Sequence, residues 1–262
     1  MDIDSDALVI YEPRESHAWI RINRPSKRNA MNQAARDGLR AAMDKARERY
    51  SVVVLTGVET SFCGGIDLKE VQAEAAQGSQ RALGDWRDVN LAIREHPAVF
   101  IAAINGVALG GGTTLTGVCD LAIACESASF GMPEVGFGMY PNPAGPATQL
   151  ARLSRKRAAW MVLTAKRVDP HTAESWGLIN QVVPDAELES AACALAEEIA
   201  QFDPVTVREC KRALDAIPEA GWADAFAAGV NANDRIQADS AAAQTGLARF
   251  SRGERNPGQG SA

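Results

Sequence analysis

Residues 104–134 read Ile-Asn-Gly-Val-Ala-Leu-Gly-Gly-Gly-Thr-Thr-Leu-Thr-Gly-Val-Cys-Asp-Leu-Ala-Ile-Ala-Cys-Glu-Ser-Ala-Ser-Phe-Gly-Met-Pro-Glu. The apolar run Val99 to Ile104 predicts a buried strand, and Gly110, Gly111 and Gly112 follow it as a turn. A helix is expected after the glycines, then a second apolar strand over Leu121 to Ala124. Glycine leaves no Cβ between the backbone and a ligand. The first turn of a helix also carries N–H groups with no partner inside the helix, and these favour negative charge. That geometry suits a phosphate or an oxyanion. Three glycines by themselves fit an unliganded turn equally well, because glycine is the default turn residue.

A second loop upstream strengthens the ligand reading. Val52 to Gly57 predicts another buried strand, and Ser61-Phe62-Cys63-Gly64-Gly65-Ile66-Asp67-Leu68 follows it. Two glycine-bearing loops after two apolar strands can each supply one N–H to a single oxygen.

Further upstream, Leu8 to Tyr11 and Ala18 to Ile22 alternate apolar with polar, as a strand pair does. Arg24 to Asn32 is a polar loop with three cations, Arg24, Lys27 and Arg28. Asn32 is placed to cap a helix from Gln33 to about Arg49. That helix puts Leu39, Ala42, Met43 and Ala46 on one stripe and charges on the other face. Asp67 to Gly78 predicts helix and then a loose polar loop, and Gln80 to Glu95 a helix stopped by Pro97.

Downstream, Gly136 to Gly145 is irregular, with Pro141 and Pro143. Helices are expected over Gln149 to Arg152, Arg155 to Leu163 and Pro170 to Trp176, and a strand over Ile179 to Val183. From Glu187 onward the pattern is helical, with breaks at Asp203-Pro204, Pro218 and Gly221, and the tail Asn256 to Ala262 is expected to fray. Strands alternating with helices, then helices alone, give an α/β class with a helical C-terminal region.

A chain of 262 residues, 46% hydrophobic and 23% charged, suits one sizeable domain with room for a helical appendage. A net charge of −6 argues against a general nucleic-acid surface. The acidic start Met1 to Asp6 lacks the basic opening and apolar core of a signal peptide, and no apolar run reaches the roughly 20 residues that span a bilayer. Five cysteines and three histidines show no metal-ligand spacing, so no metal site is expected. The cysteines suit a reducing cytoplasm, where thiols stay free.

The combined pattern resembles the enoyl-CoA hydratase/isomerase (crotonase) superfamily. The matching stretches are Asn23-Arg24-Pro25 with Lys27 to Asn32, Ser61 to Lys69, Ile104 to Leu115, Cys119 to Ala122 and Phe130 to Glu134. Leu163 to Lys166 and Ala173 to Pro184 follow in the same order. Each motif alone is weak, but jointly they cover nearly the whole chain. The resemblance implies an α/β crotonase-type spiral of ββα turns. It implies an acyl-CoA-binding core over residues 1–200 and a helical region over 201–262 that takes part in trimerisation. The implied partner is an acyl-CoA, with coenzyme A as part of the thioester substrate and no tightly bound cofactor. A homotrimer or dimer of trimers is implied, with no nucleic-acid or membrane partner.

The resemblance also implies roles for single residues. Ile66 and Gly111 would donate the two oxyanion N–H groups, whose loss typically costs about 3 kcal/mol of barrier. Lys27 and Arg28, with Arg24 nearby, would face the phosphates of CoA. Ala30, Gly65, Asp67 and Leu68 would line the track for its adenine and pantetheine. Two-glutamate hydratases carry one glutamate two residues after the last glycine of the run, where Thr114 stands here. The second follows Phe-Gly-x-Pro and is present as Glu134. A threonine hydroxyl holds a water but is no base near neutral pH.

Single-glutamate members include isomerases, decarboxylases and hydroxycinnamoyl-CoA hydratase-lyases, and the last are nearest in pattern. Those lyases hold the substrate phenol with a tyrosine in the last helix. That position here is Val230 or within a residue or two of it, with no tyrosine near, and Tyr140, in the loop after Glu134, is the only phenol nearby in sequence. Hydratase or hydratase-lyase is one reading. A Δ3–Δ2 isomerase and a non-catalytic acyl-CoA-binding subunit are the alternatives. Cys63, three residues before Ile66, raises thioesterase chemistry as a further option, although no histidine motif would activate it.

Overall fold

The structure is a computed structural model that describes residues 7–79, 81–141, 153–216 and 222–241, together with residues 245 and 252. The expected helix Gln149 to Arg152, the positions Pro143, Gly145, Pro218 and Gly221, the tail Asn256 to Ala262 and the start Met1 to Asp6 lie outside the described residues.

Six strands form the larger sheet: β1 (Val9–Pro13), β2 (Ala18–Ile22), β3 (Val52–Gly57), β5 (Val99–Ile104), β7 (Leu121–Cys125) and β9 (Gln181–Val183), side by side in that order. Only β1 and β2 pair antiparallel; every later neighbour is parallel. Parallel strands are covered on both faces, which is why β3 and β5 read as unbroken apolar runs.

The sequence did not disclose a second sheet of three short parallel strands, β4 (Ser61–Cys63), β6 (Val107–Leu109) and β8 (Ser129–Gly131). Three residues are too few to carry a period. Each follows a strand of the larger sheet, so the chain runs β3 to β4, β5 to β6 and β7 to β8. Helices α2 (Leu68–Ala75) and α3 (Arg81–Arg94) follow the first of these pairs, and α4 (Gly111–Val118) the second. This is the repeated ββα turn of the expected spiral.

Helix α1 (Gln33–Arg47) is capped by Asn32, whose Oδ1 accepts from the Ala35 N–H at 3.1 Å. Its stripe Leu39, Ala42, Met43 and Ala46 is buried. Arg36 is buried with them, contrary to the rule that charges fill the outer face. Its guanidinium donates to the Met31 carbonyl, Gln33 Oε1 and Glu70 Oε2, the last at 2.7 Å, and stands 3.7 Å from Asp85. Pairing offsets the cost of burying the charge and ties α1 to α2 and α3.

Helices α5 (Arg155–Thr164), α6 (Pro170–Trp176), α7 (Leu188–Ala200), α8 (Pro204–Ala216) and α9 (Trp222–Asp239) complete the described elements. Buried Lys211 fastens α8 to β5. It donates to the carbonyls of Ile93 and Ala98 and pairs with Asp120 at 2.9 Å. Among the described residues, no helix is long and apolar enough to cross a membrane.

Candidate active site

Strands β4 and β6 pair in parallel, so the loops that leave them emerge side by side. The first loop turns at Gly65, whose φ of +88° suits glycine. The Gly65 carbonyl accepts from Met31 N–H at 2.8 Å, and Asp67 N–H donates to the Met31 carbonyl at 3.1 Å. These bonds flank Ile66 and leave its N–H with no acceptor among the described residues. The second loop turns at Gly110, with φ +53°, and α4 starts at Gly111. The Gly111 N–H belongs to the open first turn of that helix and likewise has no acceptor among the described residues. A Cβ added to Gly65 would lie 2.8 Å from Gly111 N, and one added to Gly111 would lie 3.1 Å from Gly65 Cα. The two backbones touch because neither residue carries a side chain.

Both N–H groups open on a cavity of about 300 Å³. Glu134 is on its wall. Strand β8 ends at Gly131, Met132 is buried, and Glu134 opens a 3-10 turn that ends at Phe137. The glutamate is half-buried, and its Oε2 is fully enclosed with no hydrogen-bond partner. Burial raises its pKa above the usual glutamate range, more than a backbone hydrogen bond lowers it. A carboxylate with little to hold its charge is suited to accept and return a proton. Gly110 makes room for it: a Cβ there would lie 2.6 Å from Oε1.

The cation loop adjoins this cavity. Asn29 is buried at its centre, accepting from Arg24 N–H and donating to the carbonyls of Val58 and Ser61. The Gly64 N–H donates to the Arg28 carbonyl at 2.8 Å, which sets the loop against the β4–α2 turn. Lys27 and Arg28 are exposed there. Arg24 is not free in the same way: its guanidinium is bound to the Ala30 carbonyl and to Asp67. Asp67 also caps α2 through the Lys69 N–H. Burial pushes its pKa up, but the Arg24 and backbone hydrogen bonds outweigh that and hold it below the usual range. Leu68 lines the cavity, whereas Ala30 does not.

Residues 12–255 match the family described as Enoyl-CoA hydratase/isomerase. The chain belongs to this family. A probable enoyl-CoA hydratase from Rhizobium meliloti (strain 1021) is 36% identical over 212 residues, which cover 79% of this chain and 80% of the relative. A hydroxycinnamoyl-CoA hydratase-lyase from Pseudomonas fluorescens is 28% identical over 223 residues, 82% of this chain and 80% of the relative. The crystal structure of an enoyl-CoA hydratase from Bacillus anthracis superposes with a TM-score of 0.88 at 29% identity, over 94% of this chain and 96% of that one. Acyl-CoA hydratase-type function is what these matches support.

Four further residues that the sequence singled out are Thr114, Cys63, Val230 and Tyr140. Thr114 does not line the cavity; it is buried in α4 with its hydroxyl 3.4 Å from the Gly110 carbonyl. Cys63 is no nucleophile near neutral pH. It is fully buried beneath the Gly65 N–H, and burial pushes its thiol to about 12, so the thiolate is scarce. Val230 is exposed on α9 and absent from the cavity wall, while Tyr140 lines it.

Val71, Leu83, Trp86, Phe137 and Met139 also line the cavity, and sequence reading assigned none of them. Leu83 and Trp86 lie three apart on α3, a spacing that signals a shared face. The same spacing serves a core stripe, so periodicity could not mark this face as a cavity wall.

Proposed function

We propose that this chain hydrates a 2-enoyl-CoA, with coenzyme A entering only as part of the substrate. The observation that carries the reading is one cavity holding two acceptorless N–H groups, of Ile66 and Gly111, beside the buried, unpartnered Glu134 Oε2. The thioester carbonyl oxygen accepts both N–H groups. Glu134 takes a proton from water as the water oxygen bonds to the β-carbon. The C=C electron pair moves toward the carbonyl, which becomes an enolate oxygen held by the two donors. The enolate α-carbon then takes the proton from Glu134, the carbonyl re-forms, and the carboxylate is regenerated. Water adds across the double bond with no other reactant. Preorganised donors aid this path because charge on the oxygen is greatest in the enolate.

Lys27 and Arg28 are the free cations of the adjoining loop and would meet the CoA phosphates. A trimer or dimer of trimers is proposed from the family resemblance. The cysteines among the described residues are all free thiols, which fits our placement of the chain in the cytoplasm.

One observation favours a second reading, a Δ3–Δ2 enoyl-CoA isomerase. The Thr114 hydroxyl is turned to the Gly110 carbonyl, so it is not presented to a water in the cavity. An isomerase uses Glu134 to move a proton between carbons and needs no water. Crotonyl-CoA and 3-hexenoyl-CoA separate the readings, by hydration of the first or double-bond migration in the second. In either case Glu134→Gln should lower turnover by about 10²–10⁴, the range for loss of a general base, while thioester binding persists. Full turnover in Glu134→Gln would overturn the single-carboxylate mechanism.

A further inference from the structure

The geometry points to the Trp86 indole N–H as a hydrogen-bond donor for an oxygen on the β-carbon of the acyl group, the attacking water or the 3-oxygen of a bound thioester. The inference rests on the acyl-CoA reading above and assigns a residue that neither the motif nor the Thr114 position suggested.

Trp86 is 1% exposed, and its indole N–H has no acceptor among the described residues. The nitrogen is not among the enclosed, unpartnered atoms, so it is open to the adjoining cavity and able to donate to a group bound there. The ring faces the cavity and abuts the oxyanion loop: a Cβ added to Gly111 would lie 2.9 Å from Nε1. Glu134 lines the same cavity, and a Cβ added to the neighbouring Gly110 would lie 2.6 Å from its Oε1.

The cavity therefore brings an indole N–H without an acceptor together with the carboxyl group of Glu134. A carboxylate accepts only and an indole N–H donates only. A water or hydroxyl satisfies both at once, giving its proton to Glu134 and accepting from Trp86. A methyl or methylene satisfies neither. The rest of the side-chain wall is apolar at Leu68, Val71, Leu83, Phe137 and Met139, and Tyr140 adds a phenol from the loop after Glu134. Thr114 does not compete for the oxygen, because its hydroxyl is directed at the Gly110 carbonyl. Trp86 thus supplies the second contact to water that a single-glutamate site otherwise lacks, and it selects acyl groups that bear, or acquire, a β-oxygen.

The test compares acetoacetyl-CoA with butyryl-CoA, which differ by the β-oxygen, in wild-type protein and in Trp86→Phe. Phenylalanine keeps an aromatic ring and removes the N–H. Calorimetric titration should show Trp86→Phe weakening acetoacetyl-CoA about three- to tenfold, the size of one neutral hydrogen bond, and butyryl-CoA less than twofold. Equal weakening of both ligands, or of neither, overturns the role of the N–H. Nuclear magnetic resonance on wild-type protein tests the same point without a variant. One of the five indole N–H resonances should shift with acetoacetyl-CoA and stay with butyryl-CoA. No such differential shift also overturns the inference. Wild-type protein that binds neither thioester overturns the acyl-CoA reading itself, and this inference with it.

Discussion

Replacing Gly110 with alanine should separate catalysis from folding. Gly110 has φ +53° and ψ −116°, a conformation that L side chains rarely adopt. Holding a non-glycine residue there costs of order 1–3 kcal/mol. The added Cβ would lie 2.6 Å from Glu134 Oε1 and 3.4 Å from its Cδ. That contact is with the end of a flexible side chain, so the fold relieves it by swinging the carboxylate away. Relief is cheap for stability and expensive for chemistry, since a shift of about 1 Å in a reacting group costs roughly a hundredfold in rate.

Gly110→Ala should therefore fold, with a Tm lower by about 5 °C for a chain of this size. Its kcat for crotonyl-CoA should fall about a hundredfold, while the dissociation constant of a saturated thioester changes little. Gly112→Ala is the contrast. Its Cβ would lie 1.9 Å from the Cys63 carbonyl oxygen, which is backbone and cannot swing aside, so this variant should fail by unfolding. Circular dichroism, thermal melts and steady-state kinetics on both variants make the comparison. A folded Gly110→Ala with kcat within threefold of wild type would refute the placement of Glu134 against this turn.

Lys27→Ala with Arg28→Ala should raise KM for the thioester more than it lowers kcat, and the difference should shrink as salt rises; an unchanged KM at every salt concentration would remove the loop as phosphate site. His96 gives a pH test. Its Nδ1 accepts from Ala98 N–H at 3.1 Å, so Nε2–H donates to the Met43 carbonyl and the ring is neutral. Burial, chiefly, lowers its pKa to about 4, and the unfolded chain titrates near 6.5, so the unfolded state binds the extra proton first. Stability from this group is full above pH 6.5 and is lost as pH falls toward 4, on the order of 2–3 kcal/mol. Urea unfolding at pH 7 and pH 4.5 should show a larger loss in wild type than in His96→Gln, which keeps only the losses from carboxylates such as Asp67; equal losses would refute it. Light scattering should give three or six times the protomer mass of 27.9 kDa, and a monomer mass would count against trimerisation.

Much of the fold was legible because burial leaves local marks. Strands β3 and β5 are covered on both faces and read as unbroken apolar runs. Helix α1 showed its cap at Asn32 and its stripe at Leu39, Ala42, Met43 and Ala46. The family resemblance brought Ile66, Gly111 and Glu134 to notice as one set, and all three line one cavity.

What the tertiary structure decided concerns partners distant in sequence. Parallel pairing of β4 with β6 sets Gly65 against Gly111, and strands of three residues give no periodic signal of that pairing. A free cation and a tied one look alike in sequence: Arg28 is exposed, while Arg24 is held by Ala30 and Asp67. The Thr114 hydroxyl is turned to a carbonyl, Cys63 is sealed in the interior, and Trp86 faces the cavity rather than the core alone. A sequence pattern reports which face of an element is covered. Whether that cover is another side chain, a backbone carbonyl or an open cavity depends on strand register and helix packing, and these are fixed only when the whole chain has folded.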